Sequence, residues 1–210
     1  AMAEETARLA GGLGHRSLRA RALTQLALFE AATGRADDCQ RHVREADSVA
    51  QSTGLSPIET YGALASGLCA LGERDYESAA AHLEYVRSNV EKSDLRHPGI
   101  IPWAADLVEA LYRVGARAAA VELLAEHEER VRRTDCRSAR IGVARCRIIL
   151  GMDEDEAYAS MVDRLGYTSP VPAPFEQARL LLAYGERLRL AGRRKESRRP
   201  LHRAKIMFDQ

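Results

Sequence analysis

Apolar residues recur at helical spacing along most of the chain, and glycines interrupt them at a nearly regular interval. The clearest example is the segment 63–86, in which two short amphipathic stretches meet at Gly72. Small residues occupy the positions where two helices would cross, and larger apolar residues flank them. This pattern predicts a helical hairpin in which a tight turn at Gly72 joins two helices.

Five glycines share the position of Gly72 at the end of an amphipathic stretch, and they follow one another at intervals of 36 to 43 residues. They are Gly34, Gly72, Gly115, Gly151 and Gly192. Glycine is favoured there because the residue that closes a helix commonly adopts a left-handed backbone conformation. The sequence therefore predicts five turns, each between two helices.

The residues around these glycines repeat as well. Seven positions before each glycine lies a residue suited to a close helix crossing, namely Ala27, Ala65, Val108, Ala144 and Gly185. After each turn a larger apolar residue follows four positions beyond a small one, and these residues are Val43, Leu83, Leu124, Met161 and Leu201. Five such units predict five hairpins, at roughly 16–53, 57–92, 102–133, 136–165 and 174–208, with a proline-rich linker at 166–174.

This repeat resembles the tetratricopeptide (TPR) repeat, although its period exceeds the usual value of about 34 residues. The resemblance implies an all-α fold, a TPR-like right-handed superhelix of about five hairpins that forms a single array over residues 1–210. In such arrays each repeat packs against its neighbours, and the first helices of the hairpins line a concave face. That face is where we expect a partner to bind.

Composition and the absence of known motifs argue against several classes of function. A formal net charge of +1 argues against nucleic acid or a membrane surface as a direct partner of the whole chain. The four cysteines have no metal-ligand spacing, and Cys39 and Cys69 occupy apolar helix positions, which favours a reduced, cytoplasmic protein. The sequence contains no phosphate-binding loop, no HExxH or GxSxG motif and no catalytic triad. We therefore expect neither an enzyme nor a bound cofactor or metal.

The later part of the expected concave face carries charged and aromatic side chains. These candidate groove residues are Glu109, Tyr112, Arg113, Arg145, Glu186 and Arg189. One interpretation is a groove for a peptide or a small ligand. The other is an ordinary solvated face that is crossed by salt bridges, and the sequence leaves both open.

A separate feature is the basic character of the last predicted hairpin. Residues 186–205 contain nine lysines and arginines but only two acidic residues. This composition indicates either a solvated terminal helix or a surface that faces an acidic partner or lies near nucleic acid. No aromatic interleaving or recognition-helix pattern accompanies it, so the sequence does not predict direct reading of bases.

The run PFEQARLLLAYGERLRLAGRRKESRRPL at residues 174–201 resembles the last helical repeat of large ATP-binding LuxR-type transcriptional regulators of the MalT-like class. The segments 106–115 and 22–35 resemble the same class through general TPR-like patterns only. The resemblance implies a longer parent protein with an N-terminal nucleotide-binding ATPase and a C-terminal DNA-binding helix-turn-helix. No ATP site or DNA-reading residue falls within this sequence, so none is carried over.

The resulting hypothesis is a non-catalytic sensor or scaffold segment that binds a protein, a peptide or a small-molecule effector and regulates DNA binding by its parent. The alternative is a free-standing adaptor, unrelated to transcription, that binds proteins or peptides in its groove. Apolar end faces, created if the array was cut from a longer chain, would allow a homodimer.

Overall fold

The computed structural model describes residues 2–53, 56–93, 97–167 and 173–209, and these residues form helices without strands. The all-α fold class predicted from the sequence is thus confirmed. The chain divides into two compact units, residues 1–96 and residues 97–210. Within the part of the chain that the structure describes, every helix is too short or too polar to span a lipid bilayer.

The N-terminal unit, residues 1–96, contains five helices that pack in sequence order. They are α1 (Met2–Gly12), α2 (Arg16–Ala32), α3 (Ala36–Thr53), α4 (Ser56–Glu73) and α5 (Tyr76–Lys92). Helices α2 and α3 form one hairpin, α4 and α5 form the next, and α4 packs on both helices of the first hairpin. This arrangement, in which first helices stack on one another, is the packing of a helical-repeat fold.

The C-terminal unit, residues 97–210, repeats the same arrangement with six helices. They are α6 (Ala104–Arg113), α7 (Arg117–Arg132), α8 (Arg137–Leu150), α9 (Asp155–Val162), α10 (Pro174–Leu190) and α11 (Arg194–Phe208). Helix α8 packs on both α6 and α10, while α7 and α11 pair with α6 and α10 respectively. Helix α9 is the shortest and is followed by a π-helical turn, Asp163–Tyr167. Of the predicted linker at 166–174, residues 168–172 lie outside the described residues.

Four of the five predicted glycine turns have the expected backbone. Gly34, Gly115, Gly151 and Gly192 have φ values between +63° and +90°, which is the left-handed region. The prediction for Gly72 is wrong, because α4 continues through it to Glu73 and Arg74 adopts the left-handed conformation instead, with φ +64°. The turn of this hairpin therefore lies two residues later than in the other repeats.

The predicted pairs of small and large residues meet at the helix crossings. Ala27, Ala65 and Val108 are completely buried, as are Leu83 and Leu124. At Gly185 the approach is so close that an added Cβ atom would lie 2.5 Å from Cγ of Leu201. A glycine at position 185 is thus a requirement of the packing, because the space for a side chain is already filled by Leu201 of the facing helix.

Helix α4 offers a direct test of this packing, because it contains both a crowded glycine, Gly67, and an open one, Gly72. A Cβ at Gly67 would lie 2.7 Å from Cγ of Leu83, which is completely buried and cannot move aside. We expect Gly67→Ala to lower the free energy of unfolding by about 1–3 kcal/mol through overpacking. Gly72 has no atom within 4 Å of such a Cβ, so Gly72→Ala should raise that free energy by up to about 1 kcal/mol. Urea denaturation followed by far-ultraviolet circular dichroism measures both, and equal effects would contradict the close approach.

Candidate interaction site on α6, α8 and α10

Three first helices of the C-terminal unit bring their charged residues to one place. Helix α6 contributes Asp106, Glu109 and Arg113, which lie three to four residues apart and therefore share one face. Helix α8 contributes Arg145, and α10 contributes Glu176, Arg179 and Glu186. Because α8 packs between α6 and α10, side chains from all three helices meet around Arg145.

The deep part of this cluster centres on a buried guanidinium. Arg145 has a side-chain exposure of only 2% and donates through Nη2 to Oδ1 of Asp106 at 2.6 Å. It also donates to Glu109 through Nη1, and its Nε lies 4.0 Å from Oε2 of Glu176. A buried cation needs such partners, since an unpaired charge in the interior is strongly destabilising.

A second guanidinium completes the deep part. Arg179 places Nη2 at 2.6 Å from Oδ1 of Asp106 and at 3.4 Å from Oε2 of Glu109, and its Nη1 lies 3.3 Å from Oε1 of Glu176. Its guanidinium carbon also lies 5.4 Å from the ring centroid of Phe175, within the range of a cation–π contact. Two arginines thus face three carboxylates across three helices.

Electrostatics keep these buried groups charged. Burial alone would raise the pKa of Asp106, but the guanidinium groups of Arg179 and Arg145 outweigh it and hold that pKa below its ordinary value. Burial likewise opposes the charge on Arg145, but the carboxylates of Glu109 and Asp106 raise its pKa. Asp106 and Arg145 therefore both stay charged near neutral pH.

The rim of the cluster is different, because its pairs are long and exposed to solvent. Nη2 of Arg113 lies 3.6 Å from Oε2 of Glu186 and 3.8 Å from Oε1 of Glu109. These distances exceed those of a hydrogen bond. The side chains of Arg113 and Glu186 are 34% and 47% exposed. Exposed ion pairs of this kind contribute at most about 1 kcal/mol to stability, so a ligand can replace them at little cost.

The structure therefore brings together four of the six residues that the sequence singled out, Glu109, Arg113, Arg145 and Glu186. Tyr112 lies outside this cluster, half-buried, with the guanidinium carbon of Arg117 5.7 Å from its ring centroid. Arg189 is exposed near the end of α10, and no ion pair joins it to another described residue.

Sequence reasoning missed three members of the cluster, Asp106, Glu176 and Arg179. Asp106 lies one helical turn before Glu109, and Glu176 and Arg179 are separated by one turn at the start of α10. Acidic and basic residues three positions apart on successive first helices are the signal that could have revealed them. In the N-terminal unit the sequence also missed Glu30, whose buried carboxylate lies 2.8 Å from Nδ1 of His42.

Reactive groups are scarce in the part of the chain that the structure describes. Burial raises the pKa of Cys39 and of Cys146 to about 12, so both thiols stay protonated and are poor nucleophiles. Across the described ranges, no group of three or more His, Cys, Asp or Glu side chains could hold a metal ion. What the cluster can do is bind a charged partner at its rim.

Fold and site together define an all-α helical-repeat protein with a charged cluster across three stacked helices. Comparisons of the chain with protein-family models, with curated proteins and with solved structures give no match.

Proposed function

We propose that this chain is the non-catalytic, cytoplasmic interaction segment of a LuxR-type bacterial transcriptional regulator, in which partner binding to the repeats regulates DNA binding by the parent. The observation that carries the proposal is the exposed rim of the cluster, where Arg113 and Glu186 present charges on two different first helices. The likeness of residues 174–201 to the last repeat of such regulators supports it, since this run forms α10 and part of α11.

The deep and exposed parts of the cluster have different roles in this proposal. The pairs of Arg145 and Arg179 hold α6, α8 and α10 together whether or not a partner is present. The partner, a protein, a peptide or a small-molecule effector, carries both charges and replaces the long pairs of Arg113 and Glu186. Binding then favours one arrangement of the parent over another by its difference in affinity for the two.

The first test is the coding sequence of the parent gene. We expect it to encode a helix-turn-helix after the codon for Gln210, because regulators of this class carry their DNA-binding segment there. A gene that encodes no DNA-binding segment would contradict the regulatory proposal and would favour the free-standing adaptor.

The second test measures binding at the rim. A thermal-shift screen of the 210-residue chain, using sugars, nucleotides and short zwitterionic peptides as probes, should find compounds that raise the melting temperature. Arg113→Glu should abolish this response because it reverses the charge that the partner meets. Its free energy of unfolding should fall by only about 1 kcal/mol, because the ion pairs that it loses with Glu109 and Glu186 are long and exposed.

The matched control for the rim is Arg132→Glu, a charge reversal at an exposed position on α7 of the same unit. It should leave the thermal response to the probes intact. A response that survives in Arg113→Glu as well would place the binding site elsewhere on the chain and contradict the role of the rim.

A further inference from the structure

The solvent face of α11 carries basic side chains along most of its length. Its buried residues are Ser197, Pro200 and Ala204, which lie on one side of the helix. The other sides expose Arg194, Lys195, Arg198, Arg199, His202 and Arg203. We call these six residues the basic face. At 1.5 Å per residue, the basic face extends over about 14 Å of helix.

The acidic residues on and near α11 do not neutralise this face, because they are paired with other cations. Arg193 forms two ion pairs, one between its Nη2 and Oε2 of Glu196 at 2.5 Å and one between its Nη1 and Oδ2 of Asp155 at 2.9 Å. Nζ of Lys205 forms an ion pair with Oδ2 of Asp209 at 2.6 Å. Within the described ranges, no ion pair involves Arg194, Lys195, Arg198 or Arg203, and all four are exposed. The basic face is therefore a local concentration of positive charge on a chain whose net charge is only +1.

The composition of the basic face indicates whether its partner is a nucleic acid or an acidic protein. The centre of a protein–protein interface is usually apolar and depleted of charged residues. Interfaces with nucleic acids are instead polar and strongly positive, and most of their hydrogen bonds go to phosphate and sugar. No large apolar side chain between Arg194 and Arg203 is exposed. The observations thus favour a phosphate backbone over an acidic protein.

We propose that the basic face of α11 binds the phosphate backbone of a nucleic-acid duplex without reading its sequence. Arginine suits this task because its guanidinium group can form two parallel hydrogen bonds to one phosphate. The absence of a base-reading pattern in the sequence is compatible with the proposal, since backbone contacts carry no sequence information. This inference goes beyond the proposed function and does not depend on it.

Fluorescence anisotropy of the full 210-residue chain with labelled DNA and RNA duplexes of random sequence tests the proposal. Affinity should fall steeply as salt rises between about 50 and 200 mM, because each phosphate contact releases counterions. If five or six phosphates are contacted, the slope of log K against log salt should be about −5 for DNA. Two duplexes of different sequence should bind equally well.

The variant Arg194→Gln/Lys195→Gln/Arg198→Gln/Arg203→Gln removes four charges from exposed positions. We expect it to weaken duplex binding at least tenfold and to reduce the magnitude of the salt slope by about 3 to 4. The matched control is Arg16→Gln/Arg21→Gln/Arg44→Gln/Lys92→Gln, which removes the same charge from exposed positions of the N-terminal unit. The control should bind like the wild-type chain.

Three outcomes would overturn the proposal. One is no binding of either duplex at 50 mM salt, which is low enough for contacts of this kind to persist. Another is equal loss of affinity in the two quadruple variants, which would show a general effect of net charge. The third is tighter binding of polyglutamate than of either duplex, with the same dependence on the basic face, which would identify an acidic protein as the partner.

Discussion

Replacing Arg145 with methionine is expected to lower the free energy of unfolding of the unit 97–210 by about 3–5 kcal/mol, the usual cost of removing one partner from a buried ion pair. Methionine fills a similar length of space, so the main loss is electrostatic. Asp106 and Glu109 would then rely on Arg179, and three carboxylates would face one buried guanidinium. The substitution leaves negative charge poorly compensated around Asp106, whose side chain is only 8% exposed.

The chain contains its own reporter for this experiment. Trp103, the only tryptophan, is 3% exposed and directly precedes α6, which contributes Asp106 and Glu109 to the cluster. Urea denaturation followed by tryptophan fluorescence therefore measures unfolding of the unit that contains Arg145. Because the N-terminal unit has no tryptophan, the tryptophan signal comes from the unit 97–210.

Two further variants separate the buried charge from other effects of the substitution. Arg113→Met removes an arginine from the exposed rim and should cost no more than about 1 kcal/mol. Arg145→Met combined with Glu109→Gln removes one negative charge as well, and it should be more stable than Arg145→Met alone. If Arg145→Met were as stable as Arg113→Met, the deep pairs would not hold the three helices together.

Much of the fold follows from local sequence, because helix ends and helix crossings leave strong local signals. The turns at Gly34, Gly115, Gly151 and Gly192 were predictable since only a glycine adopts a left-handed conformation without strain. The error at Gly72 has a physical cause. A glycine is also tolerated inside a helix. The sequence shows that Glu73 and Arg74 lengthen this turn by two residues relative to the Gly34, Gly115 and Gly192 repeats, but not that Arg74 takes the left-handed conformation.

The candidate site was less predictable than the fold, because it depends on contacts between residues far apart in the chain. Projection of the repeat located Arg145 and Glu109 on the same face, and they form an ion pair. It could not show that Arg145 is almost completely buried or that Asp106 and Arg179 are its neighbours. Burial decides the role of each charge here, since a deep pair holds the fold together and a rim pair is free to exchange. Burial is a property of the packed helices and is not visible in one repeat.

The second large effect expected is a loss of stability of the unit 97–210 in mild acid, and its cause is His127 on α7. This side chain is almost completely buried, with 6% exposure. Burial, with a smaller contribution from the charge of Arg130, lowers the pKa of His127 from 6.5 to about 4. In the unfolded chain the same imidazole is exposed to water and regains its ordinary pKa. Protonation therefore favours the unfolded state.

The sign and the range of this effect follow from the two pKa values. Above pH 6.5 the imidazole is neutral in both states, and His127 adds no pH dependence. Between pH 6.5 and about 4 the unfolded chain binds a proton that the native chain does not, so stability falls as the pH falls. Below about pH 4 both states are protonated and the loss levels off. The total loss should be about 3 kcal/mol.

Asp106 and Asp153 change the stability at lower pH than His127 does. The contribution of His127 to the pH dependence can therefore be measured separately. The pKa values of Asp106 and Asp153 are lowered in the native state from an ordinary value of 3.8. The stability that these groups contribute is therefore lost only as the pH falls through that value and below it. Measurements between pH 7 and pH 4.5 accordingly report mainly on the histidine.

His127→Gln should remove most of the pH dependence between pH 7 and pH 4.5 in urea denaturation followed by Trp103 fluorescence. Glutamine is polar and of similar size but does not titrate, so the variant isolates the proton from the packing. The control His202→Gln changes an exposed histidine on α11 of the same unit and should retain the loss of stability seen in the wild-type chain. If His127→Gln lost stability in acid as steeply as the wild-type chain, the buried imidazole would not be the group that links folding to pH.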